Sequence, residues 1–190
     1  MRRSTLAVMG LVLSSLPSQP PLQEAVSRSV LVEVMDVFGE YEFGSGVIVE
    51  SGWVLTNRHV VEDAIPIWVD GKDARLVRMD DVLDLALLAC ETREQSPVRI
   101  RTQTVVQEEV FYVGNPARVR NFVGRGRILG YPDGWIHSSA FAWPGFSGAG
   151  LYDASGALVG IQTRWKRFRP GSSPEGMAIP AAEVRKFLDR

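Results

Sequence analysis

Trp143-Pro144-Gly145-Phe146-Ser147-Gly148-Ala149-Gly150 is the stretch on which the rest of the chain depends, a serine held among glycines and followed by apolar Leu151-Tyr152 and Leu158-Val159-Gly160-Ile161. A serine hydroxyl is a weak nucleophile alone. It needs a base, a group to orient that base, and donors for the oxyanion that forms. Gly145 and Gly148, lacking a Cβ, can adopt backbone angles closed to other residues and turn consecutive amides into one small space. The same octapeptide also reads as a plain Gly-rich turn, so the base must be sought elsewhere in the chain.

Working outward, the downstream side holds Gly150 to Tyr152, a turn at Asp153-Ala154-Ser155-Gly156, and an apolar strand over Ala157 to Thr163. A Pro/Gly/Ser-rich loop spans Arg167 to Gly176, and a terminal helix follows Pro180, with Val184, Phe187 and Leu188 at helical spacing. Upstream of the serine lie β-rich pieces over Glu109 to Val113, Asn121 to Leu129 and Trp135 to Phe141. The polar segment Glu91 to Arg101, with Pro97, reads as a linker between two halves.

In the first half, β-branched residues dominate from Ser29, with Val30, Val32 and Val34 alternating with Leu31, Glu33 and Met35. Gly46-Val47-Ile48-Val49 then turns through Glu50-Ser51-Gly52 into Trp53-Val54-Leu55-Thr56, a hairpin that delivers Asn57-Arg58-His59 at its far end. His59 is one of two histidines. Further strands are expected over Ile65 to Val69 and Ala74 to Met79. Asp84 directly precedes the apolar run Leu85 to Leu88, where a buried carboxylate is costly unless hydrogen-bonded or paired. A histidine N–H would satisfy it; a solvated turn is the alternative, and the one adopted for Asp80 and Asp81. Many short strands, frequent turns and one closing helix, the only one expected, describe an all-β barrel protein.

Composition sets the outer bounds. The chain has 190 residues, 45% hydrophobic and 23% charged, enough for a substantial core. Lys and Arg number 21 against 22 Asp and Glu, so charge gives no argument for nucleic acid or a membrane surface; the arginines of 118–127 and 164–169 read as solvated loops. One cysteine, Cys90, excludes an intrachain disulfide and any multi-cysteine metal site. Met1-Arg2-Arg3, the apolar run Leu6 to Leu13 and the Ser/Pro-rich Ser14 to Pro21 have the parts of a secretory signal, without a clean cleavage site. Residues 1–27 are therefore read as a signal peptide or disordered leader, with an extracytoplasmic destination and no membrane span in the mature chain.

His59, Asp84 and Ser147 are the three types that a nucleophile, its base and the orienter of that base require, in one of the few known orders of this triad. An α/β-hydrolase arrangement fails, because no histidine follows Ser147 and position 149 is alanine. His137, in mid-strand ten residues before Ser147, is the weaker candidate base.

These pieces resemble the protease domain of the HtrA (Deg) group of trypsin-like serine proteases. The matching motifs are Gly44-Ser45-Gly46-Val47-Ile48, Val54 to Val61, Asp84 to Leu88, Val113-Gly114-Asn115-Pro116, Pro144 to Gly148, Leu158 to Ile161 and Met177-Ala178-Ile179-Pro180. The resemblance runs from about Ser29 to Arg190. It implies two six-stranded β-barrels, about 28–95 and 105–180, with the active site between them and the helix at 181–189. It implies peptide-bond hydrolysis of unfolded or extended polypeptides through an acyl-enzyme, without metal or organic cofactor. The implied residues are His59, Asp84 and Ser147 as the triad, with Gly145, Phe146 and Ser147 around the oxyanion and the amides of Gly145 and Ser147 as its donors. A substrate strand would pair with the edge of Ile161, Gln162 and Thr163. Phe141 would sit at the base of the primary pocket and Trp165 near its wall, favouring a small or medium apolar residue over Lys or Arg, although both aromatics fit a barrel core equally.

The chain departs from the group's pattern in three places. Phe146 stands where asparagine is usual, Ala149 where glycine is usual, and Ser139 where an aspartate precedes the serine loop. Ala149 is the departure expected to bend the loop. No room is expected after Arg190 for the PDZ domain that many relatives carry. The alternative to an enzyme is a peptide-binding module of the same fold with a collapsed oxyanion loop. The oligomeric state is not legible.

Overall fold

The computed structural model describes residues 20–166 and 174–190. Strands β1 (Ser29–Met35), β2 (Tyr41–Glu50), β3 (Trp53–Thr56), β4 (Ile67–Val69), β5 (Lys72–Asp80) and β6 (Leu85–Cys90) close into an antiparallel barrel in the order β1-β2-β3-β6-β5-β4. A second closed barrel, in the order β10-β11-β12-β9-β8-β7, uses β7 (Glu109–Gly114), β8 (Phe122–Gly130), β9 (Ile136–Phe141), β10 (Gly150–Asp153), β11 (Leu158–Lys166) and β12 (Glu175–Pro180). The all-β barrel class read from the strand spacing, and the pair of six-stranded barrels that the resemblance implies, are thus the observed fold.

Period-two patterning has its physical counterpart in the burial. Along β5 intermediate and exposed positions alternate from Asp73 to Asp80, as on a strand with one wet face. Val30, Val32, Val34, Ile48, Val54 and Leu88 fill the first barrel, while Val110, Tyr112, Ile128, Phe146, Leu151 and Val159 fill the second. A third cluster joins them: Val47, Leu55 and Leu85 of the first barrel pack with Phe111, Val113, Leu158 and Ile161 of the second. The seam is therefore itself a core, which gives groups on opposite barrels a fixed relation.

Helices close the seam. The expected terminal helix, α3 (Ala181–Leu188), buries Ala181, Val184 and Phe187 at three-residue spacing. Two more helices were not expected. Of the leader read over residues 1–27, residues 1–19 lie outside the described residues, but residues 20–27 fall within α1 (Pro20–Arg28). Leu22, Ala25 and Val26 of α1 pack on the seam core, and Arg28 is buried with its Nη1 donating to the carbonyls of Ile48 at 3.3 Å and Ser96 at 3.0 Å. Nine residues offer too few turns for periodicity to reveal them. The third helix, α2 (Arg58–Val61), is a single turn following β3. His59 thus lies on a helical turn beyond the strand rather than closing the strand. Among the described residues no helix is long and apolar enough to cross a membrane.

Candidate active site

The His59–Asp84 pair is built from the two strand ends nearest the seam in the first barrel. Asp84 stands immediately before β6 with φ +55°, a left-handed conformation in which Asp is enriched among side-chain-bearing residues. Its carbonyl accepts hydrogen bonds from Asn57 Nδ2 at 2.9 Å and the Arg58 amide at 3.2 Å, tying the start of β6 to the head of α2. Its carboxylate receives the His59 amide at 3.1 Å, and His59 Nδ1 lies 3.0 Å from Oδ1 and 2.8 Å from Oδ2. Thr163 Oγ1, from β11 of the other barrel, donates to Oδ2 at 2.5 Å. Burial by itself pushes the Asp84 carboxyl up. The hydrogen bonds from His59 and Thr163 outweigh it and hold the group below the usual carboxylate range. Because an ionised carboxylate only accepts, it fixes the proton on Nδ1 and leaves Nε2 of a neutral His59 as the basic nitrogen.

Ser147 is presented by a backbone device. The Phe146 amide donates to Trp143 O at 3.0 Å, closing a turn with Pro144 second and Gly145, φ +95°, third. Those residues in those places are the requirements of a type II turn. Gly148, φ +86°, follows, and a Cβ there would come within 2.0 Å of Ser45 O. Only glycine fits. The Gly148 amide donates to Gln162 O at 2.8 Å and the Ala149 amide to Phe146 O at 2.8 Å. Among the described residues, the amides of Gly145 and Ser147 donate to no protein acceptor.

Phe146, placed around the oxyanion but not among its donors, is accounted for by the same bonds. The amide of Phe146 is consumed inside the turn, and its ring, fully buried, packs edge-on against Tyr112 and Phe122 at 6.1 and 5.8 Å between centroids. The extra carbon of Ala149, fully buried, is seated against Gly114. A Cβ built on Gly114 would meet Ala149 Cβ at 2.7 Å, so the absent side chain at 114 makes the room. Ser139, in the place of an aspartate, accepts from the Arg127 amide at 2.9 Å.

Gly44 lies between the helical turn that carries His59 and the backbone of the serine turn. A Cβ at 44 would lie 2.8 Å from Val60 Cγ1, beside His59, and 3.1 Å from Ser147 O. No hydrogen bond joins Ser147 Oγ to His59 among the described residues, an arrangement common in sites without substrate, where such bonds tighten only in the reactive complex. His137 is elsewhere, its Nε2 2.7 Å from Glu175 Oε2 on the neighbouring strand.

The strand edge expected to take a substrate is already paired at its first two residues. Ile161 and Gln162 are occupied on both sides, by β12 through Ile179 and Ala178, and by β10 and the serine loop, with the Gln162 amide donating to Ala149 O at 2.8 Å. The β10 partnership ends there. From Thr163 to Trp165 that side of β11 has no partner strand among the described residues. The edge ends at a stack of aromatics: Phe141 on Trp143 with centroids 6.2 Å apart at 8°, and Trp143 on Trp165 at 5.9 Å and 21°. No sequence signal linked Trp143 to Trp165, because the contact joins the serine loop to the far end of β11.

A family model of the trypsin-like peptidase domain matches residues 44–161. The chain belongs to the trypsin-like peptidases, of the HtrA type. It is 32% identical to the serine endoprotease DegS of Escherichia coli K12 over 168 residues, 77% of this chain and 47% of DegS. It is 33% identical to a DegP-like periplasmic serine endoprotease of Brucella suis, over 77% of this chain and 32% of that protein. The structure of the HtrA-type protease AlgW with a tripeptide superposes with a TM-score of 0.77 at 29% identity, covering 88% of this chain and 62% of AlgW. The chain thus spans less than half the length of these two curated relatives.

Proposed function

We propose that the chain is a serine endopeptidase in which Ser147 is the nucleophile, His59 the general base and Asp84 its orienting carboxylate. What carries this reading is the conjunction of an Asp84 carboxylate bonded to His59 Nδ1 with a serine turn in which the amides of Gly145 and Ser147 donate to no protein acceptor among the described residues. With Nδ1–H committed to Asp84, Nε2 takes the Ser147 proton as Oγ attacks the scissile carbonyl. The resulting oxyanion accepts from the amides of Gly145 and Ser147, and His59 then gives the proton to the leaving amine. Water repeats the sequence on the acyl-enzyme.

The substrate is an extended polypeptide added to the open edge of Thr163 to Trp165. Trp143 and Trp165, both about half-exposed and in ring contact, stand with Phe141 where the primary pocket would lie, and these apolar walls suit a small or medium apolar side chain rather than Lys or Arg. The relatives' names support an extracytoplasmic site of action, one of them being described as periplasmic. No residue here needs a cofactor for this chemistry.

A fluorophosphonate probe tests the reading. The wild type is expected to be labelled and to cleave casein, and Ser147→Ala to do neither. A wild type that resists the probe while remaining folded, and that binds an extended peptide without cutting it, would establish the binding-module alternative instead.

A further inference from the structure

Ser45 lies in β2 of the first barrel and is fully buried, yet every hydrogen-bonding group it owns is used, most of them on the serine loop of the second barrel. Its amide donates to Ser147 O at 2.7 Å. Its hydroxyl donates to Gly145 O at 2.7 Å and accepts from the Asn115 amide at 2.8 Å. Its carbonyl accepts from Thr56 Oγ1 at 2.8 Å and forms the wall that excludes a side chain at 148. The direction of each bond is fixed, since a carbonyl can only accept and an amide can only donate.

We propose that Ser45 is a positioning residue for the oxyanion turn, holding it open from across the barrel seam; this rests on the peptidase reading above. The two candidate donors, the Gly145 and Ser147 amides, belong to peptide units on either side of the Gly145–Phe146 unit. Ser45 Oγ grips the carbonyl of that middle unit. Gly145 has no Cβ and a positive φ, so apart from the Phe146 amide's bond to Trp143 O nothing else among the described residues holds the unit, and without the Ser45 grip its carbonyl is left unheld beside the space an oxyanion needs. The grip is stiff because its far end is anchored: Asn115 Nδ2 donates to Val30 O at 2.8 Å and Asn115 Oδ1 accepts the Asn121 amide at 3.0 Å. Ser45 touches neither substrate nor reacting atoms.

The experiment compares wild type, Ser45→Ala and Ser45→Cys, the last keeping volume while weakening the donor. Expected for Ser45→Ala is a fall in kcat of roughly 10- to 100-fold, less than outright loss of an oxyanion donor, with KM within about twofold. Its affinity for a peptide boronate should fall in parallel, while affinity for an uncleaved peptide, measured in a Ser147→Ala background, stays unchanged. Ser45→Cys should fall between, and supplies the readout should Ser45→Ala fail to fold. A kcat within twofold of wild type in folded Ser45→Ala or Ser45→Cys, or a loss confined to KM, overturns the proposal and leaves the peptidase reading standing. A wild type inert to the fluorophosphonate overturns both.

Discussion

The two sides of the seam hold their reactive groups by different means. On the first barrel, His59 and Asp84 are fixed through one carboxylate, on which three donors converge: the His59 amide, His59 Nδ1 and Thr163 Oγ1. On the second, Ser147 is fixed by backbone geometry, two positive-φ glycines and a turn gripped by Ser45. The first arrangement depends on which atoms the side chains carry. The second depends on which atoms are missing. It follows that conservative polar changes should be ruinous on one side, and the addition of a single methyl group on the other.

The sharpest break is Asp84→Asn. The amide would keep the shape but present an N–H or a weaker acceptor to Nδ1, favouring the wrong tautomer. A fall in kcat of about 10⁴-fold is expected, with KM little changed, on a fluorogenic peptide. The same residue governs a pH effect. Its carboxyl is depressed in the folded state, so the unfolded chain binds the proton more readily. That stabilisation is present above the ordinary carboxylate value of about 3.8 and is lost as pH falls through the lower folded value. Thermal melts of wild type and Asp84→Asn should therefore converge as pH is lowered through that window, and parallel melts would contradict the assignment.

Next comes Gly148→Ala on the other side. A Cβ 2.0 Å from Ser45 O cannot be accommodated without moving backbone. The turn should open, with kcat falling by about 10²- to 10³-fold, as for a lost oxyanion donor, and with a lowered unfolding midpoint. Gly39→Ala is the control, having a positive φ of +83° but nothing near its Cβ. It should cost only the local backbone strain and leave kcat alone.

The same asymmetry explains what could be read from the sequence. His59, Asp84 and Ser147 could be proposed from the sequence because their chemistry is carried by residue identity and their order is one of few, and the structure adds the bond between His59 and Asp84. The barrels are legible because strand burial writes itself as alternation. The grip of Ser45 is not, since a serine between Gly44 and Gly46 looks like any strand serine until Gly145 and Asn115 are brought to it from the other barrel. The part played by Phe146 is not legible either, since its amide closes the turn on Trp143 and its ring fills the core against Tyr112 and Phe122, contacts that only the fold supplies. The pairing already made by Ile161 and Gln162 was invisible for a similar reason: strand partners, not strand composition, decide which backbone groups are spare.

Thr163 spans the comparison, since it lies on β11 of the second barrel and donates to Asp84 of the first. Thr163→Val removes that bond and keeps the shape. A hydrogen bond to a charged group contributes about 1.5–3 kcal/mol, but His59 still holds Asp84, so a loss in kcat of about tenfold is expected. The carboxyl should rise towards its ordinary range, moving the acid limb of the stability profile upward. A Thr163→Val enzyme with an unchanged profile would mean that the threonine bond is incidental.

The smallest effect expected is the one that bears on selectivity. Trp165 lies at the end of the open edge, with its ring stacked on Trp143 and about 43% of its surface exposed. Removing it opens space beside the scissile residue without touching His59, Asp84 or Ser147. Cleavage of bonds after alanine should fall by a few-fold, because a small side chain loses its apolar wall, while bonds after leucine or phenylalanine should gain, one methylene in such a pocket being worth about 1–3 kcal/mol. Site profiling of Trp165→Ala on denatured casein reads both at once. A uniform loss across all sites would make the stack a support for the turn at Trp143, whereas a redistribution at constant total rate would make it the wall that selects the cleaved residue.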